Sequence, residues 1–267
     1  MPETQSLIFK VENGVGWIIL NRPEARNAMN MEMRQAYFDS LARCAEDESV
    51  RAVVLTGTGK GFCTGADLSG SRAAKGDQST PHPGATRAAM APSQRTIRAL
   101  WDLEKPVIAA VNGVAAGLGA HLAWACDLVL AADDAKFIEV FVRRGIAVDA
   151  LGGFLLPRLI GLHKAKELVF YGDDLSAVEA ERLGLVNKVV PSAELEKVTR
   201  EWAERLAQGP TFAIGLSKRL LNRSLQVDLE SFCGEEAFTQ ALAANSDDMR
   251  EGIRSFMEKR PPAFKGR

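Results

Sequence analysis

Residues 107 to 126, VIAAVNGVAAGLGAHLAWAC, run for 20 positions without a formal charge, and no other stretch constrains the chain as strongly. A run of that length is just long enough to cross a bilayer. Against that reading, Asn112-Gly113 places a turn signal in its middle, β-branched residues cluster before the break, and Asp127 follows directly. The segment is better read as a buried strand, a turn and a buried helix.

The patterning around it alternates. Runs rich in β-branched residues predict strands over 6–11, 15–20 and 51–56, and Met33, Tyr37, Leu41 and Cys44 recur at helical spacing within a helix predicted over 31–46. Further strands are expected at 107–111, 128–132 and 186–190, the last closed by Pro191. Ser93 is the expected N-cap of a helix carrying Ile97, Leu100 and Trp101, and Ser176 with Glu179 makes a capping-box signature. From 192 onward only helical periodicity remains, over 192–208, 211–225, 229–244 and 247–258. Mixed α/β organisation with a helical C-terminal region follows. Residues 69–92 are small, polar and Pro/Gly-bearing without periodicity, and are expected to form a mobile surface excursion.

A chain of 267 residues can bury a large core without disulfides or metals to staple it. Thirty-three Lys and Arg against 34 Asp and Glu, with no long block of like charge, argue against a nucleic-acid partner. Four scattered cysteines, no CxxC and three histidines indicate neither a zinc site nor a disulfide framework, so a reducing cytoplasm fits best. The N-terminus MPETQSLIFK has no basic stretch followed by an apolar one, which does not support secretion. Gly117-Leu118-Gly119 starts like a dinucleotide fingerprint, but its third glycine position is Leu122, and neither a GxSxG elbow nor a Walker sequence occurs.

Two glycine-rich turns remain, each after an apolar strand: GTGKGFCTGAD at 57–67 and GVAAGLG at 113–119. Glycines let backbone approach a ligand, and the first N–H groups of a helix point outward. Brought together, two such turns can offer two donors to one oxygen; taken singly, each is equally a tight turn for close packing.

LNRPEARNAM at 20–29, GFCTGADL at 61–68, KPVIAAVNGVAAGLGAHLAWACDLVLAADDAKF at 105–137 and FMEKRPPAFK at 256–265 together resemble the crotonase superfamily, the enoyl-CoA hydratase/isomerase family, in order and over nearly the whole chain. The resemblance implies a spiral of ββα units over residues 1–195 and a helical trimerisation region over 196–267, assembled as a homotrimer or a hexamer of two trimers. It implies an acyl-CoA thioester as substrate, with coenzyme A part of that substrate and no separate cofactor or metal. By the same likeness the thioester oxygen accepts hydrogen bonds from the N–H groups of Ala66 and Leu118. Ala25, Arg26 and Asn27 fall where the family contacts CoA, and Phe256 and Lys259 where it is approached from the adjacent subunit; for Lys259 a solvated helix face is the other reading. Asp67 also matches a family position, where a turn-forming or capping role is expected of it.

Family hydratases place one glutamate three residues after the second donor and another after the strand ending near 137. Here those positions are His121 and Phe141. Glu139 lies two residues earlier, and in an extended strand that offset keeps the face but displaces a group by about 7 Å, too far without realignment. His121 is either a proton shuttle or a hydrogen-bonded packing residue. Asp149, in GIAVDALGG, resembles the position where some family isomerases carry a proton-relaying aspartate; an N-cap for a helix over 150–159 is the alternative. The leading expectation is double-bond isomerisation of an enoyl-CoA with Asp149 as relay. The alternatives are a hydratase using His121 or Asp149, and a non-catalytic acyl-CoA binding protein.

Overall fold

The computed structural model describes residues 6–69 and 82–267. Strands β1 (Leu7–Glu12) and β2 (Val15–Leu20) form an antiparallel hairpin turning at Asn13-Gly14, both at positive φ as a two-residue hairpin turn requires. Helix α1 (Met31–Glu46) follows, its N-cap Asn30 accepting from the Met33 N–H at 2.8 Å. The chain then repeats one pattern. Strand β3 (Ala52–Gly57) leads to β4 (Gly61–Cys63) and helix α2 (Pro83–Trp101); β5 (Val107–Val111) leads to β6 (Val114–Ala116) and helix α3 (Leu118–Ala125); β7 (Leu128–Ala132) leads to β8 (Lys136–Ile138). Helices α4 (Gly152–Ile160) and α5 (Leu162–Tyr171), strand β9 (Asp174–Ser176), helix α6 (Ala177–Arg182) and strand β10 (Lys188–Val190) complete the layered part.

The long and short strands sort into two sheets. One has the order β1-β2-β3-β5-β7-β10, parallel from β2 onward; the other has the order β4-β6-β8-β9, with only β9 antiparallel. Each repeat gives one strand to each sheet, so the chain winds as the expected ββα spiral.

The uncharged run is accounted for by this architecture. All five residues of β5 and all eight of α3 are buried, the strand between two parallel neighbours and the helix against both sheets and helix α2. Helix α3 lies so close to β4 that a Cβ on Gly119 would collide with the Cys63 carbonyl. Asn112, in the turn between β5 and β6, accepts from the Gly57 N–H at 3.2 Å and donates to the Gly59 carbonyl at 3.0 Å. That side chain joins the turns of two successive repeats.

Helix α7 (Leu195–Ala207) lays Leu195, Val198, Ala203 and Ala207 on the large sheet. Helices α8 (Thr211–Ser224), α9 (Leu229–Ala243) and α10 (Asp247–Glu258) stand further out, tied to the core through Lys218, whose Nζ donates to Asp127 Oδ2 at 2.9 Å and to the Leu100 carbonyl at 3.2 Å. No described helix is long and apolar enough to cross a membrane.

Two boundaries differ from expectation. Helix α2 begins at Pro83, capped by His82, rather than after Ser93, and it carries Pro92 in its interior. Proline removes one helical N–H, but Ile97, Thr96 and Leu100 bury the following turns. Of the 69–92 excursion, residues 70–81 lie outside the described residues. Helix α4 starts at Gly152 after Ala150 and Leu151, both left-handed, so its N-cap is Leu151 and Asp149 does not cap it.

Candidate active site

Met29 and Ala66 form an isolated parallel bridge: the Met29 N–H donates to the Gly65 carbonyl at 2.8 Å and the Asp67 N–H donates to the Met29 carbonyl at 3.0 Å. In such a bridge the central residue, Ala66, has its own N–H directed away from its partner. Leu118 is the first residue of α3, and a helix leaves its first N–H groups unpaired. Gly65, at φ +98°, measures how near the two turns lie: a Cβ there would stand 3.0 Å from the Ala116 carbonyl oxygen and 3.6 Å from the Leu118 nitrogen. The turns after β4 and β6 therefore abut, and the two main-chain amides belong to one locality.

One helical turn beyond Leu118, His121 is fully buried. Its Nε2 lies 2.8 Å from Glu139 Oε1, and Glu139 is itself 2% exposed. His121 Nδ1 and Glu139 Oε2 are buried without a protein hydrogen-bond partner. The imidazole stacks on Phe141, with ring centroids 5.5 Å apart and planes 16° from parallel, and Gly152 leaves room for its Nε2 edge where a side chain would clash. Phe141 also reaches the Gly117 turn that precedes Leu118, its Cζ 3.4 Å from where a Cβ on Gly117 would stand.

Asp149 is half-buried beside this pair. Burial pushes its carboxyl above the usual carboxylate range, a charged His121 pulls it down, and the Glu139 charge pushes it up. Ala66, Leu118 and His121 thus lie along two abutting turns and the helix that one of them opens, Phe141 packs against them from the segment after β8, and Asp149 is coupled electrostatically to His121 and Glu139.

Glu139 is the residue that strand geometry misjudged. The estimate of about 7 Å assumed a chain extended through 141, but β8 ends at Ile138 and Phe141 already has helical dihedrals before the single 3₁₀ turn at Val142–Arg144. The carboxylate consequently turns inward onto His121. Its only sequence signal is an acidic residue among the apolar Phe137, Ile138, Val140 and Phe141.

The loop carrying Ala25, Arg26 and Asn27 lies against the first turn, since the Arg26 carbonyl accepts from the Thr64 N–H at 3.2 Å. Arg26 is exposed and Ala25 partly so. Asn27 is fully buried, and its side chain accepts from the Arg22 N–H at 2.8 Å and donates to the carbonyls of Thr58 and Gly61 at 2.9 and 2.7 Å. Those bonds, with the Asn27 N–H donated to the Arg22 carbonyl at 2.8 Å, make Asn27 the residue that holds the loop. Asp67 behaves as a turn former, accepting from the Ser69 N–H at 2.9 Å; this contact and the Arg22 guanidinium hold its carboxyl down at about 2. Phe256 and Lys259, at the end of α10, are exposed, Lys259 as its left-handed C-cap. Among the described residues no group of three or more His, Cys, Asp or Glu side chains is arranged to hold a metal.

The enoyl-CoA hydratase/isomerase family model matches residues 10–267. The chain belongs to that family. Its relatives include 1,2-epoxyphenylacetyl-CoA isomerase of Escherichia coli K12, 39% identical over 261 residues and covering 98% of both chains. Crotonyl-CoA hydratase of Syntrophomonas wolfei subsp. wolfei is 35% identical, covering 97% of this chain and 98% of its own. Among solved structures, an enoyl-CoA hydratase/isomerase from Cupriavidus metallidurans CH34 superimposes with a TM-score of 0.92 at 36% identity, over 100% of this chain and 98% of that one. This enoyl-CoA hydratase/isomerase family member therefore has relatives named for two different reactions.

Proposed function

We propose that the protein isomerises an enoyl-CoA, moving a 3,4 double bond to the 2,3 position. The thioester oxygen sits between the N–H groups of Ala66 and Leu118, where two preorganised donors stabilise the charge that develops on it. Asp149 takes a proton from the α-carbon as that C–H bond breaks, the electron pair moves into a dienolate, and the same carboxyl returns the proton to the γ-carbon. One base suffices, and no water is consumed. Ala25 and Arg26 face the CoA portion on the loop that the buried Asn27 holds in place, and Phe256 and Lys259 approach it from a neighbouring subunit of a trimer or hexamer.

The observation that carries this reading is the Asp149 carboxyl, half-buried, raised by desolvation and adjoining the buried His121–Glu139 pair. A carboxyl so placed can hold a proton through a transfer and release it again. Incubation of 3-enoyl-CoA with wild type and Asp149→Asn tests it: the variant is expected to fall by about 10²- to 10⁴-fold, the usual worth of a positioned base. Equal rates would remove Asp149 from the reaction.

The buried His121–Glu139 pair favours a second reading, hydration of a 2-enoyl-CoA with His121 as proton carrier. Loss of the conjugated-thioester absorbance on mixing with 2-enoyl-CoA reports that reaction, and its abolition in His121→Phe would assign it. A purely carrier role predicts tight binding of CoA esters with no exchange of the α-proton into deuterated water.

A further inference from the structure

Arg22 lies outside every role assigned above, yet it touches both segments that present Ala66. Its Nη1 donates to the Ala28 carbonyl at 2.7 Å and to Asp67 Oδ2 at 2.8 Å. Ala28 and Asp67 are the chain neighbours of Met29 and Ala66, the two residues of the isolated bridge. The guanidinium therefore straps one side of that bridge to the other, and it does so in partial burial, with Arg22 20% and Asp67 15% exposed at their side chains. A charge-assisted pair shielded in this way holds its geometry better than a surface pair does.

The main chain of Arg22 organises the other loop. Its carbonyl accepts from the Ala25 and Asn27 N–H groups at 3.0 and 2.8 Å, and its N–H donates to Asn27 Oδ1 at 2.8 Å. One residue thus shapes the loop proposed to meet CoA through its backbone, and fastens the turn proposed to meet the thioester through its side chain. The two functions separate cleanly by substitution, because a side-chain change leaves the carbonyl and N–H in place.

We propose that Arg22 is a positioning residue that aims the Ala66 N–H at the thioester oxygen by strapping Ala28 to Asp67 across the Met29–Ala66 bridge. The Met29 N–H bond to the Gly65 carbonyl orients the peptide plane that carries the Ala66 N–H, and since an isolated bridge has no neighbouring ladder to hold that bond, the strap braces it. Asp67 is ionised throughout the neutral range, so the strap is closed wherever the enzyme would work. The proposal rests on the reading of Ala66 as an oxyanion donor, and the experiment separates the two.

The probe is hexanoyl-CoA carrying ¹³C at the thioester carbonyl, read by difference infrared spectroscopy, alongside steady-state turnover of 3-enoyl-CoA. In wild type the carbonyl stretch is expected to move to lower wavenumber on binding; an unshifted band would overturn the oxyanion reading, and this proposal with it. Given the wild-type shift, Arg22→Met is expected to lose about half of it and to lower kcat about tenfold, with KM changed less than about threefold, the pattern of a lost transition-state interaction. Arg22→Lys, which keeps a cationic donor, should recover most of both. A full shift and unchanged kcat in folded Arg22→Met would overturn the role of Arg22 while leaving the oxyanion reading intact. Should Arg22→Met not fold, Asp67→Ala, which keeps the Asp67 N–H bond to Met29, carries the same expectation and the same refutation. A residue that mattered to stability alone would lower the melting temperature without moving the band.

Discussion

Asp149 meets two opposite influences from one buried pair, and this gives a signed prediction at the scale of single residues. A carboxyl acting as base must be ionised, so activity should rise with pH through a midpoint above the ordinary carboxylate range. Glu139→Gln removes a charge that pushes Asp149 up and should move the rising limb to lower pH; His121→Gln removes a group that pulls it down when protonated and should move the limb higher. Profiles of kcat/KM against pH for the three proteins would check this, and shifts of the same sign in both variants would break the coupling. Stability runs the other way. A carboxyl whose folded value is raised weakens folding progressively as pH climbs from its unfolded value through the folded one. Asp149→Asn is therefore expected to melt higher than wild type at neutral pH and no higher at pH 3, as a thermal melt at the two pH values would show.

Among the elements, legibility follows β-branched runs, and even the three-residue β10 falls within the strand expected at 186–190. The five- and six-residue strands of the large sheet carry enough apolar, β-branched residues to be read directly, and Val15–Leu20 and Val107–Val111 lie where the pattern put them. Strands β4, β6, β8 and β9 have three residues each, too few for any period to register, so of the second sheet only the strand ending near 137 is expected, and that from the family resemblance alone. Helix α2 begins eleven residues before the expected start because the stretch around Pro83 and Pro92 is small and polar without helical periodicity. Of the site, the glycine turns and Asp149 were legible as motif positions, whereas the Glu139 contact depends on where β8 stops, which tertiary packing decides. Close approach between elements gives its own test. Gly119→Ala thrusts a methyl group at the Cys63 backbone, which has no flexible end to move aside, and should destabilise the protein by about 1–3 kcal/mol or more. Urea unfolding of the variant measures it, and an unchanged midpoint would contradict the packing of α3 on β4.

Across the whole molecule, the outer helices leave much apolar surface uncovered. Of helix α9 only Thr239 is buried, while Leu229 is 78% and Phe238 67% exposed. Monomeric proteins rarely leave such a patch open, so the proposed trimer or hexamer is expected from light scattering, with Leu229→Asp/Phe238→Asp shifted toward single chains. One consequence of the bridge at Ala66 and the helix start at Leu118 reaches beyond this protein. A peptide N–H exists whatever side chain its residue bears, and among the coded amino acids only proline deletes it. Drift at those two positions can therefore alter the fit of a substrate but can hardly erase the proposed donors, whereas a single substitution at 121, 139 or 149 would rewrite the proposed proton chemistry. On the proposed reading such a scaffold inherits its grip on the ester and is free to diversify in what it does next.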